Sequence, residues 1–71
     1  MTLDEQIKCV GREIGMRKNV YPRWVANGKM TQAKADHEIA AMEATLETLK
    51  QFGELEERLR EIKSNAEDRP L

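Results

Sequence analysis

The sequence predicts an all-α fold: an antiparallel helical hairpin with a short helical turn at its hinge and a long second helix, expected to pair with another copy as a coiled-coil-like homodimer. Three observations predict it. Two runs of apolar residues recur at alternating spacings of four and three, which lines each run along one face of a helix. Between them, the stretch from 17 to 39, RKNVYPRWVANGKMTQAKADHEI, is punctuated by Pro22 and Gly28, as a chain reversal requires. Thr2 and Glu5 stand at the spacing of a capping box, in which hydroxyl and carboxylate each satisfy a backbone N–H left free by a first helical turn.

The capping box starts the first helix at Leu3, and Leu3, Ile7, Val10, Ile14, Arg17 and Tyr21 form its seam. Gly11 and Gly15 lie off that seam and cost about 1 kcal/mol each relative to alanine, so this helix depends on its packing. Pro22 has no N–H and its ring crowds the carbonyl four residues earlier, which predicts a helix end or kink near Val20. Residues 22 to 26 then make a short helical turn, closed by Asn27-Gly28 with Gly28 in the left-handed conformation. Thr31 is the expected cap of the second helix, and Met30 can fold onto Ala35 as a hydrophobic staple.

Ala35, Ile39, Met42, Leu46 and Leu49 give the second helix a stripe that can zip against the first. In the resulting register Ile14 meets Ile39 and Met42, Val10 meets Met42 and Leu46, and Leu3 with Ile7 meets Leu46, Leu49 and Phe52. The apolar pattern continues past the reach of the first helix, through Phe52, Leu55, Leu59 and Ile62. If Gly53 is tolerated, the second helix spans residues 32 to 64, about 48 Å against about 27 Å for the first. Its last third then has no partner within the chain, and the exposed stripe is the expected dimer interface. The competing arrangement has Gly53 break the helix and a third helix fold back.

At 71 residues the chain is a single small domain, expected over residues 1–64 with a frayed tail at 65–71. A chain this short usually needs a disulfide, a metal or a partner subunit. Cys9 and His37 are the only cysteine and histidine, so self-association is the support that remains and no metal or other cofactor is expected. Neither a leader pattern nor an apolar run of about 20 residues occurs, which points to a cytoplasmic protein without a membrane partner.

Charge is unevenly placed. Arg12, Arg17, Lys18, Arg23, Lys29 and Lys34 face a single acid, Glu13, between positions 12 and 34, whereas acids outnumber bases further on. Tyr21 and Trp24 lie within the basic stretch, so Tyr21, Arg23, Trp24, Lys29 and Lys34 are the candidate partner-binding residues, by aromatic anchoring or by stacking on nucleic-acid bases. The plainer alternative has Tyr21, Trp24 and Val25 close the open end of the hairpin core. Arg17 occupies a seam position suited to leucine, and a guanidinium there needs a carboxylate, for which Glu38 is the candidate. That pairing makes Arg17 a register-fixing residue instead of a binding one. No histidine, serine or tyrosine is spaced with the carboxylates for acid–base or nucleophilic work, and no Gly-rich phosphate loop occurs, so an enzyme is not expected.

The pattern M-R-x-x-V-Y-P-x-x-V-x-x-G-K-M-T-x-x-x-A-D-H-E-I-x-x-M-x-x-x-L-x-T-L, carried by residues 16 to 49, resembles small uncharacterised proteins of Mu-like phages and proteobacterial prophages. The resemblance covers about half the chain and implies a phage setting within a bacterial host cell, without implying any chemistry. Three functions follow as expectations. The first is an interaction protein that binds a host protein and modulates or inhibits it. The second is a small nucleic-acid-binding or transcription-accessory protein using the basic hinge, against which stand the slight acidic excess of 13 to 12 and a connection longer than a helix-turn-helix allows. The third is a structural or assembly helper.

Overall fold

The computed structural model describes residues 1–67, with side-chain surroundings described as far as Lys63. Within these residues the chain forms α1, Leu3–Ala26, and α2, Gln32–Glu67, which pack against each other as a hairpin. The frayed tail expected from residue 65 falls partly on the end of α2, and residues 68–71 lie outside the described residues.

Thr2 caps α1 as its spacing requires: its Oγ1 accepts the Glu5 N–H at 3.1 Å, and Glu5 Oε2 accepts the Thr2 N–H at 3.3 Å. The helix does not stop or divide at Pro22. It runs unbroken to Ala26, so the separate hinge turn expected over residues 22 to 26 is the last part of α1. Proline removes one hydrogen bond there, to the Lys18 carbonyl. The turn beyond is held from both sides, by Tyr21, buried against α2, and by the cap that follows.

That cap ends α1 firmly. The Gly28 N–H donates to the Val25 carbonyl at 3.1 Å and the Lys29 N–H to the Trp24 carbonyl at 2.9 Å, the paired bonds of a Schellman motif. Gly28 takes φ +73°, the left-handed conformation that glycine adopts without steric cost. Thr31 Oγ1 then accepts the Lys34 N–H at 3.1 Å and opens α2.

The interhelical seam follows the four–three spacing. Along it lie the sheltered positions Ala35, Ile39, Met42, Leu46, Leu49, Gly53 and Glu56 of α2 and Leu3, Ile7, Val10, Ile14, Arg17 and Tyr21 of α1, while Glu13, Val20, Val25 and Glu38 beside it are partly sheltered too. The buried apolar residues among the described ones are only Ile14, Tyr21 and Ala35, because two helices can shelter no more than the line between them. Gly53 neither breaks α2 nor sends a third helix back. It lies under Leu3, where a β-carbon would come within 3.2 Å of Leu3 Cδ2. Leu3 therefore meets Gly53, and Phe52, expected beside Leu3 and Ile7, is 55% exposed. One residue along a helix is a rotation of about 100°, which is enough to turn Phe52 out of the seam.

The molecule measures 68 × 20 × 13 Å. At 1.5 Å per residue α2 is about 54 Å long and α1 about 36 Å, so α2 passes the start of α1 and continues unaccompanied among the described residues. No described helix is long and apolar enough to cross a membrane.

Candidate functional site

The two broad sides of the hairpin differ in chemistry. Stepping back one residue from a seam position turns about 100° around a helix, and because the helices run in opposite directions the step leads to the same side of the pair in both. Met16, Val20 and Trp24 reach that side from α1, as do Ala41, Thr45, Thr48, Phe52, Leu55, Leu59 and Ile62 from α2. Apart from Met1, every large apolar side chain exposed among the described residues belongs to it. Stepping forward leads to the opposite side, with Asp4, Lys8, Gly11, Gly15 and Lys18 from α1 and Asp36, Glu43, Glu47 and Lys50 from α2.

Near the turn, Glu13, Met16, Arg17, Val20, Tyr21 and Trp24 line an open groove on the apolar side. The Tyr21 and Trp24 rings lie 5.7 Å apart between centroids and tilted by 36°, a favourable offset aromatic pair. Burial divides them. Tyr21 is 9% exposed and fills the seam, whereas Trp24 is 42% exposed and lines the groove.

Arg17 does not pair with Glu38. Its Nη2 lies 3.6 Å from Glu13 Oε2, one turn earlier on α1, and its Nη1 lies 2.7 Å from the Met42 sulfur on α2. The guanidinium leaves the seam toward the apolar side and spans the gap only as far as Met42. Among the described residues, the ion pair that does cross between helices is Lys18 to Glu43, at 2.7 Å on the charged side. Both of its side chains are about half exposed, so it adds little stability.

Of the hinge residues, Arg23, Lys29 and Lys34 are exposed and form no ion pair among the described residues. Lys34, one position before Ala35, falls on the same side as Trp24, while Arg23 is two positions past Tyr21, on the back of α1. The five candidate partner-binding residues thus surround one end of the hairpin without sharing a face. Phe52, Leu55, Leu59 and Ile62 do share one, at exposures of 53 to 64%.

Met16 and Val20 escaped the sequence reading, although their four-residue spacing with Trp24 was visible beside the seam. The closeness of Leu3 to Gly53 had no comparable signal, since a glycine within a helix looks the same whether it admits a neighbour or is simply tolerated.

No three residues of the metal-ligating types converge among the described residues. No family model, no curated protein sequence and no solved structure matches the chain.

Proposed function

We propose that this protein is a small non-enzymatic interaction module of a phage or prophage, acting in the host cytoplasm, which self-associates through the free part of α2 and binds a host protein in order to modulate or inhibit it. The observation that carries the proposal is the one-sided placement of large apolar side chains: Met16 and Trp24 near the turn and Phe52, Leu55, Leu59 and Ile62 beyond it. An apolar surface of several hundred Å² is a feature of proteins that associate, and a partly exposed tryptophan is a common anchor. The phage setting rests on the resemblance of residues 16 to 49.

A specific observation also favours a second reading. Arg23, Lys29 and Lys34 have no acidic partner within 4.0 Å among the described residues and stand at the same end of the hairpin as Trp24, where cations can hold phosphate and an aromatic ring can stack a base. The two readings separate in one experiment. Tagged wild type, Trp24→Ala and the double variant Lys29→Glu/Lys34→Glu are used for pull-downs from proteobacterial lysate, with and without nuclease. A stoichiometric host protein that survives nuclease and is lost with Trp24→Ala supports the modulator. Recovery abolished by nuclease and by the charge reversals supports nucleic-acid binding, and recovery of the protein alone supports an assembly role.

A further inference from the structure

Resting on the reading of the free part of α2 as a self-association surface, we propose that the second copy runs antiparallel, with the exposed end of each α2 laid over the Ala41–Thr45–Thr48 stretch of the other. The stripe itself supplies the argument. Extended back toward the turn, the spacing of Ile62, Leu59, Leu55 and Phe52 continues through Thr48, Thr45 and Ala41, one unbroken four–three alternation along the apolar side. Its threonines are prepared for burial. Thr45 Oγ1 donates to the Ala41 carbonyl at 2.9 Å and Thr48 Oγ1 to the Ala44 carbonyl at 3.1 Å, which satisfies both hydroxyls within the helix and leaves methyl groups for contact.

Size is graded along this stripe: Ala41, Thr45 and Thr48 are small, Phe52 stands in the middle, and Leu55, Leu59 and Ile62 are large. A two-fold axis between Phe52 and Leu55 sets Leu59 on the partner's Thr48 and Ile62 on the partner's Thr45, so that large fills small in the layers on either side of the central Phe52–Leu55 contacts. A parallel pairing in register would stack large on large at one end and leave a gap at the other. Charge gives the same direction. In a parallel pair, flanking residues five positions apart meet across the stripe, which would set Arg58 against the partner's Lys63 on both sides. The antiparallel arrangement avoids that clash and carries the acid-rich end of each chain toward the basic turn of the other.

The area is sufficient. Side chains of about 200 Å² each, exposed by just over half, leave roughly 450 Å² on Phe52, Leu55, Leu59 and Ile62. With the threonine methyls and the stems of flanking Arg and Lys, this approaches the ~800 Å² per partner of an ordinary stable interface.

Light scattering gives the mass, and a nitroxide on Lys29→Cys in a Cys9→Ser background gives the distance between the two turns by double electron–electron resonance. A dimer with turns roughly 70 Å apart is expected, since about 47 residues of helix then separate them. A dimer with turns closer than about 30 Å would be parallel and would overturn the inference while leaving self-association standing. A monomer would overturn both. Thr48→Lys, outside the free part of α2, is expected to weaken dimerisation at least tenfold. Unchanged dimerisation in that variant would refute the large-on-small register.

Discussion

Arg17 illustrates how far a seam position constrains its side chain. The apolar spacing placed it correctly between the helices, and the cost of an uncompensated guanidinium called for a carboxylate. Spacing could not supply the direction of a long, flexible side chain, and Arg17 leans to Glu13 on its own helix with its side chain 38% exposed. An exposed pair of this kind contributes about 0–1 kcal/mol. Arg17→Leu should therefore change stability by less than about 1 kcal/mol in urea unfolding, and Glu38→Ala should be silent. A loss above 2 kcal/mol in either would mean that the guanidinium is paired inside the seam after all. Tyr21 is the opposite case. With so few buried residues, Tyr21→Ala should cost about 3 kcal/mol or more, a large share of a small domain's total, and should abolish cooperative thermal unfolding followed by circular dichroism.

Helix ends and glycines carry most of the element-scale argument. Both N-terminal caps and the left-handed Gly28 were legible, because Thr-x-x-Glu and Asn-Gly act through local hydrogen bonds and local φ, which need no tertiary information. Pro22 was misread for the complementary reason. Its local penalty is real, but burial of Tyr21 and the Schellman bonds beyond it outweigh one missing hydrogen bond, and neither can be weighed without the partner helix. Gly11 and Gly15 have open space where a β-carbon would stand. Replacing either by alanine should stabilise by about 0.5–1 kcal/mol and raise the thermal midpoint by several degrees. Gly28→Ala should instead destabilise by about 1 kcal/mol, since its φ of +73° is strained for any residue with a β-carbon. If Gly11→Ala lowers the midpoint, the charged side of the hairpin is covered by something in solution.

Across the whole molecule, the hairpin and the excess length of α2 follow from counting apolar repeats on either side of a single turn. The sidedness of the exposed residues did not, because it depends on the phase of each stripe relative to the seam, and one misassigned residue, Phe52, shifts that phase by about 100°. Sidedness also makes a prediction for solution behaviour. Amide hydrogens of α2 beyond Arg60 have no neighbouring helix among the described residues of the single chain, so in dilute protein they should exchange at nearly the rate of an isolated helix. Raising the concentration through the self-association range should protect them selectively. Uniform protection along α2 at every concentration would place the covering surface elsewhere.

The short connection between Ala26 and Gln32 also sets an order of events. Contacts across the hairpin enclose loops that grow steadily with distance from the turn, from 14 residues between Tyr21 and Ala35 to 50 between Leu3 and Gly53. Closing the longer loop from an unfolded chain costs about 1 kcal/mol more than closing the shorter, as (3/2)RT ln(50/14) gives. Assembly should begin at the aromatic end and close like a zip toward the N-terminus, and opening should start where Leu3 rests on Gly53. A newly made chain would thus have its turn in place while its free end was still open to capture.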